Sequence, residues 1–190
     1  MAKKESTFLN MVATLFVVTL VAAALLGSAY ALTKEPIRLA DLKRKNDAIK
    51  VVVPGFDNEP SLEVVKQAVE GDTLYFYTAR QGGDIIGTAV ETFTNKGFNG
   101  NFNLMVGFND DGSIIDIAVV KHAETPGLGD KMEKPKSDFS VQFMGKDPSG
   151  FKLAVTKDRG DVDAITASTI TSRAYCDAVQ RAYDAFMQMQ

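Results

Sequence analysis

Five of the side chains in the seven-residue stretch TASTITS, residues 166–172, carry a hydroxyl group. The residues that follow this stretch have the spacing of an amphipathic helix. The five hydroxyls belong to Thr166, Ser168, Thr169, Thr171 and Ser172. The start of a helix leaves about four N–H groups unpaired and carries the positive end of the helix dipole, so it favours an anion such as phosphate. A helix cap uses one or two hydroxyls. Five of them predict a phosphate site, and a covalent attachment site is a further hypothesis that physical chemistry alone leaves open.

A second candidate for ligand binding is the glycine-rich loop HAETPGLGD, residues 122–130, which follows an expected strand. Gly127 and Gly129 would let a ligand come close to the backbone. The cluster KGFNG at 96–100 is similar and precedes a strand. Glycines of this kind also form ordinary turns, so both clusters gain significance only in combination with the hydroxyl segment.

Several kinds of chemistry lack the residues they need. His122 and Cys176 are the single histidine and the single cysteine, so ordinary zinc sites, Cys-His nucleophilic catalysis and an internal disulfide have no adequate set of partners. The carboxylates show no pairing suited to acid–base catalysis. A net charge of −3 gives no basic face for nucleic acid. The sequence therefore predicts no catalytic residue, no metal and no nucleic-acid partner.

The elements that position these segments are predicted to form an α+β domain with antiparallel strands and packing helices. Turn signals separate β-rich runs, and apolar residues recur at helical spacing in the final segment. We expect strands at 73–80, 85–93, 101–108 and 113–122, a further short strand at 151–156, and a helix at 169–189. Residues 61–72 read as either helical or extended.

The N-terminal part predicts a single transmembrane helix. Residues 8–32 contain no charged side chain, and 25 helical residues span about 37 Å, enough for a hydrocarbon core of about 30 Å. A cleaved signal peptide is the alternative, with Lys3 and Lys4 preceding the apolar run and a small-x-small pattern at 29–31, but its apolar region is usually shorter. We therefore expect an anchor at 1–32, a stalk or linker at 33–55 with a helix broken at Pro54-Gly55, and one domain at 56–190.

A simple count of the basic residues on the two sides of this helix indicates a cytoplasmic location for the folded part. Two lysines precede the apolar run, and five basic residues follow it: Lys34, Arg38, Lys43, Arg44 and Lys45. The positive-inside rule would then keep the folded part in the cytoplasm. Long downstream domains translocate largely regardless of charge, so this count decides little.

The segment DAITASTITS, residues 163–172, resembles the flavinylation motif of the FMN-binding domain family. The match lies at Asp163, Thr166, Ala167, Ser168 and Thr169, with Ala167 and Ser168 replacing the usual glycine and alanine. HAETPGLG at 122–129 and GFNG at 97–100 resemble two further motifs of that domain. With the anchor included, the chain looks most like the G subunits of Rnf-type ion-translocating ferredoxin:NAD oxidoreductases. The C subunits of sodium-pumping NADH:quinone reductases are similar but usually longer.

The resemblance implies that Thr169 carries FMN through a phosphoester, attached by a separate flavin transferase that uses FAD and magnesium. Ser168 adds a neighbouring hydroxyl, which leaves a second candidate oxygen. The cofactor-binding residues implied around Thr169 are Asp163, Thr166, Ala167, Ser168, Ile170 and Thr171, and those implied near the flavin are Glu124, Thr125, Gly127, Leu128 and Gly129.

The resemblance also implies a function. The chain would be an electron-transfer subunit that relays electrons through FMN inside a redox-driven ion pump, with other membrane subunits as partners and no complete active site of its own. It implies a bacterial cytoplasmic membrane with the domain on the extracytoplasmic side, opposite to the charge count. A flavin relay of another respiratory reductase and a non-redox, membrane-anchored binding or assembly module remain alternatives. The electron donor and acceptor and the choice of sodium or protons stay open.

Overall fold

The computed structural model describes residues 7–69 and 71–190. Two long helices enclose five strands in chain order, with four short 3-10 helices between them. The bounds are α1 Phe8–Val52, β1 Val64–Val69, β2 Asp72–Gln81, β3 Asp84–Gly97, β4 Gly100–Phe108, β5 Ile114–Lys121 and α2 Thr169–Met189. The α+β class with antiparallel strands and an N-terminal helix is confirmed. Lys3 and Lys4, which the signal-peptide alternative used, lie outside the described residues.

Helix α1 is a continuous helix of 45 residues that includes Pro36. By length and composition it can cross a membrane, a property that a signal sequence near an N-terminus shares. It ends at Val52, before Pro54 and Gly55, as the predicted break requires. The chain divides into two compact units, residues 1–43 and 44–190. The predicted boundaries at residues 32 and 55 stay predictions.

The five strands form one antiparallel sheet in the order β1-β2-β3-β4-β5, so each strand pairs with its neighbour in sequence. The four predicted strands at 73–80, 85–93, 101–108 and 113–122 are confirmed as β2 to β5. Of the two alternatives left open for 61–72, the extended one holds from Val64, and this stretch forms the edge strand β1. Gly71 has φ +84°, a conformation that glycine adopts without strain in the tight turn to β2.

The strand predicted at 151–156 is wrong. This segment is irregular, with a single bridge between Val155 and Val162 and a short 3-10 helix at Thr156–Asp158. Leu153 and Val155 are nevertheless buried in the core. The alternation of buried and polar residues here comes from a loop that packs against the core. Periodicity alone cannot distinguish such a loop from a strand.

The second unit consists of a sheet covered on both faces. Leu74, Phe76, Leu104 and Val106 belong to a core shared with α2, whose predicted amphipathic character is confirmed. The intervening side chains of the same strands pack on the opposite face against the last residues of α1. That second cluster contains Ala48, Ile49, Val52, Val53, Tyr77, Ala79, Ala89 and Met105. The end of α1 is thus part of the folded unit.

On this second face Gly107 of β4 lies close to Val52. A Cβ atom at position 107 would collide with the Val52 carbonyl oxygen and would lie 2.8 Å from its carbonyl carbon. Because these are backbone atoms, no side-chain rotation can relieve the collision. A glycine at this position is therefore required for the end of α1 to lie against the sheet.

We expect Gly107→Ala to lower the free energy of unfolding by about 1–3 kcal/mol, because the added methyl group overpacks this contact. Urea denaturation of the full chain in detergent measures the change. Gly150→Ala is the matched control, since nothing lies within 4 Å of a Cβ there, and it should change stability by less than about 0.5 kcal/mol. Equal stability of the two variants would contradict the contact.

Candidate functional site

Three separate segments meet at a cavity of about 310 Å³ at the start of α2. They are the first turn of α2, the loop that follows β5, and the tight turn between β3 and β4. The residues lining it are Phe98, Glu124, Thr125, Leu128, Gly129, Ala167, Ser168, Thr169, Ile170 and Thr171. Two larger cavities, of about 490 and 560 Å³, are lined by none of the predicted site residues.

Glu124 joins the three segments. Its side chain is buried, with 5% of the residue exposed. Oε2 accepts a hydrogen bond of 2.7 Å from the Thr171 hydroxyl in α2, and Oε1 accepts one of 3.1 Å from the Asn99 backbone N–H in the β3–β4 turn. A buried carboxylate needs such donors because it has lost its water shell. Glu124, one of the predicted site residues, therefore links the three segments that line the cavity.

Two glycines leave the space that this carboxylate occupies. A Cβ atom on Gly97 would lie 2.7 Å from Glu124 Oε1, and a Cβ atom on Gly129 would collide with Oε2 and lie 2.9 Å from Thr171 Oγ1. Gly97 lies in the motif GFNG and Gly129 in HAETPGLG. Gly129 is thus explained by the buried Glu124 side chain, and Gly97 by this side chain together with the Gly100 carbonyl oxygen, with which a Cβ atom at position 97 would also collide.

The β3–β4 turn contributes two residues that sequence reasoning missed. The side-chain amide of Asn99 donates to Ala123 O at 2.9 Å and to Thr125 Oγ1 at 3.2 Å, which fastens the turn to the loop after β5. Phe98 lines the cavity although 64% of it is exposed. The signal available in the sequence was the motif GFNG itself: of its two central residues, Phe98 lines the cavity and Asn99 holds the turn in place.

The five hydroxyls of residues 166–172 differ in burial and in hydrogen bonding. Thr171 and Ser172 are buried; the Ser172 hydroxyl donates to Ser168 O at 3.0 Å and accepts from the Ile165 N–H at 2.9 Å. Ser168 is the N-cap residue of α2, yet its side chain makes no capping hydrogen bond. The first-turn N–H groups therefore lack the usual Ser cap, and this leaves them for another acceptor.

Ala167 adopts a left-handed backbone conformation with φ +62°. Glycine adopts this conformation at no steric cost, whereas a Cβ atom makes it unfavourable. The motif that the segment resembles usually has glycine at this position. Ala167 therefore adopts, at some cost in strain, a conformation that glycine would adopt freely.

Nine of the twelve predicted site residues line the cavity, and three do not: Gly127, Asp163 and Thr166. Asp163 and Thr166 are exposed. The backbone of Asp163 is held by the Gln142 side chain, which accepts from its N–H at 2.8 Å and donates to its carbonyl at 3.1 Å. Gly127 has φ +78° in the loop after β5. The Asp163 side chain thus lies outside the cavity, while its backbone is fixed.

His122 stabilises the loop after β5 through a hydrogen bond to its backbone. Its Nδ1 accepts a hydrogen bond of 3.0 Å from the Glu124 N–H, so in the neutral ring Nε2 carries the proton and donates to Glu133 Oε1 at 2.7 Å. Burial by itself raises the pKa of Glu133, but hydrogen bonds from Lys136 and His122 outweigh burial and hold that pKa below its usual value. Glu133 is therefore an anion at neutral pH, and it orients the ring that holds Glu124.

The thiol of Cys176 is buried in α2, beyond the first turn that lines the site. Burial raises its pKa to about 12, so the thiolate required for nucleophilic or redox chemistry does not form near neutral pH. Burial likewise raises the pKa of Tyr175 well above its usual value. In the described residues no cluster of three or more His, Cys, Asp or Glu suited to a metal ion is found.

Residues 97–184 match the family model described as FMN-binding domain. The G subunit of the ion-translocating oxidoreductase complex of Shewanella oneidensis is 42% identical over 122 residues, which cover 63% of this chain and 58% of that protein. The protein of the same name from Shewanella piezotolerans is 42% identical over 109 residues, 56% of this chain and 51% of its own length. Both matches thus span a little over half of those relatives.

A longer match includes the N-terminal part. The G subunit of the same complex from Vibrio cholerae serotype O1 is 32% identical over 179 residues, which cover 90% of this chain and 86% of that protein. The similarity therefore extends well beyond the segment that the FMN-binding domain model matches.

We expect Ala167→Gly to raise the free energy of unfolding by about 1 kcal/mol, because glycine removes the Cβ strain of the left-handed conformation. Ala164→Gly is the control. Ala164 has no positive φ, so glycine there should lower stability by making the unfolded chain more flexible. Urea denaturation of both full-length variants measures the two changes. A loss of stability in both would contradict the strain at Ala167.

Proposed function

The chain belongs to the family of G subunits of ion-translocating oxidoreductase complexes, and we propose that it relays electrons through FMN bound covalently at Thr169. The observation that carries the proposal is the single cavity in which the Thr169 side chain meets the glycine-rich loop after β5 and the β3–β4 turn. The three motifs that resemble those of FMN-binding domains are distant in sequence, and the fold joins them at this cavity.

Burial and hydrogen bonding favour Thr169 as the attachment point among the five hydroxyls. The Thr171 hydroxyl is engaged with Glu124, and that of Ser172 with the backbone. Thr166 is exposed but does not line the cavity. Ser168 lines the cavity but is buried, whereas Thr169 lines it and is partly exposed. Thr169 is thus the hydroxyl that both a transferase and the cavity can reach.

The residues present fit an FMN group. The isoalloxazine has broad flat faces and an apolar dimethylbenzene end, and the cavity carries the apolar side chains of Phe98, Leu128 and Ile170 that can contact them. A phosphate esterified to Thr169 keeps one negative charge, which the uncapped N-terminus of α2 stabilises. When bound, the flavin supplies the redox chemistry, and the protein supplies attachment, orientation and electrostatic environment.

We further propose that the chain works beside other membrane subunits of a redox-driven ion pump and is matured by a flavin transferase. The relatives are named as subunits of a complex. Helix α1 can hold the flavin domain at a membrane, and a covalent bond retains the flavin where free FMN would diffuse away. The electron-accepting and electron-donating sites for soluble substrates would belong to the partner subunits.

Thr169→Val should abolish flavin attachment, because valine has a similar shape but no hydroxyl oxygen. The full chain, co-expressed with a flavin transferase, is analysed by intact mass. The native chain is expected to gain the mass of one FMN less one water, and the variant none. Ser168→Ala, which restores the usual alanine of the motif, and Thr156→Val, at an exposed threonine outside the motif and the cavity lining, are the matched controls and should keep full occupancy.

Other outcomes of this experiment have definite meanings. A native chain without added mass would overturn the flavoprotein proposal and favour a non-redox binding or assembly module. Added mass on Thr169→Val that disappears in Ser168→Ala would move the attachment to Ser168.

We propose that the flavin domain faces the extracytoplasmic side of the bacterial cytoplasmic membrane. Protease added to spheroplasts should then degrade residues 33–190, whereas a cytoplasmic marker protein stays intact. Protection of this segment until the membrane is permeabilised would contradict the topology and support the simple charge count.

A further inference from the structure

We propose that the ring of Phe98 stacks on the isoalloxazine of the flavin and acts as a fixed aromatic wall that positions it. This inference rests on the proposed function, because it assumes FMN at Thr169. Phe98 is the single aromatic side chain among the residues that line the cavity. Aromatic rings attract one another in offset-stacked arrangements beyond the effect of buried area alone, so a planar tricyclic ligand is a suitable partner.

Phe98 is largely exposed in the part of the chain that the structure describes. Phe102 and Phe108 of the adjoining strand β4 are fully buried in the core. Phe98 instead occupies a tight turn, where small and polar residues are typical. It is 64% exposed, and Leu128 and Ile170, which line the same cavity from the two other segments, are 41% and 48% exposed. Three large apolar side chains from three segments thus line one cavity and are largely uncovered, and the face of a flat aromatic ligand would cover them.

The turn that carries Phe98 is fixed. Asn99 donates hydrogen bonds from its backbone to Glu124 and from its side chain to Ala123 and Thr125. Gly97 has no room for a Cβ atom, since the Gly100 carbonyl oxygen and Glu124 Oε1 lie too close. The backbone on either side of Phe98 is therefore held in place before any ligand binds, which lowers the entropic cost of using its ring as a wall.

Phe98→Trp tests whether this side chain touches the flavin. An indole in contact with an excited isoalloxazine quenches its fluorescence by donating an electron, which returns in the dark. The sequence contains no tryptophan, so the introduced one is the sole indole. Leu62→Trp is the matched control, because Leu62 is 78% exposed and does not line the cavity. The full chain is co-expressed with a flavin transferase, and intact mass gives the FMN occupancy of each variant before emission is compared.

At equal occupancy, Phe98→Trp should lose most of the flavin emission, whereas Leu62→Trp should keep the native level. Equal emission from the two variants would overturn the proposal while leaving covalent FMN intact. Absence of added mass in the native chain would instead overturn the proposed function. If Phe98→Trp prevents folding or attachment, Phe98→Tyr adds one hydroxyl to the native ring and tests the same contact, since phenols also quench flavins.

A second readout distinguishes stacking from simple apolar cover. Iodide quenching of the attached flavin should rise roughly twofold or more in Phe98→Ala, because one face of the ring loses its aromatic neighbour. Phe98→Leu should restore protection only incompletely. Iodide quenching of Phe98→Ala at the native level, or full protection by leucine, would contradict a stacking role.

Discussion

A single buried carboxylate holds the candidate site together. Glu124 accepts from the Thr171 hydroxyl of α2 with one oxygen and from the Asn99 backbone of the β3–β4 turn with the other. Gly97 and Gly129 leave the space for it, and His122 binds its backbone N–H from behind. Removing the carboxylate would leave buried donors unsatisfied in two segments at once. The carboxylate therefore helps to set the relative positions of Thr169, the loop and Phe98, together with the Asn99 side chain, which donates to Ala123 O and Thr125 Oγ1.

The rest of the second unit gives this site a rigid base. The antiparallel sheet packs against α2 on one face and against the last residues of α1 on the other. Because α2 begins at Thr169, the packing that fixes the helix also fixes the hydroxyl at its start. The contact between Gly107 and Val52 in turn makes the end of the apolar N-terminal helix part of the same fold. A flavin at Thr169 would thus be attached to a framework with little freedom to move.

Regular periodicity made the main elements predictable. The hairpins of β2 to β5 and the helix from Thr169 follow from alternation, turn residues and helical spacing, which are local properties of the chain. The strand predicted at 151–156 was wrong because a loop packed on the core can bury alternate residues just as a strand does. Asn99 and Phe98 were missed because their roles depend on contacts with a loop about 25 residues away, which no local pattern contains. The left-handed conformation of Ala167 was concealed because alanine rarely adopts it.

The central claim is that one hydroxyl of five carries the flavin. Trypsin would release residues 160–173 as one peptide that contains all five hydroxyls. Fragmentation of this peptide from the native chain, by mass spectrometry, locates the added mass between neighbouring backbone bonds. We expect FMN on Thr169, with Ser168 and Thr171 unmodified. An unmodified peptide from chain matured with a flavin transferase, or FMN on any other hydroxyl, would contradict it.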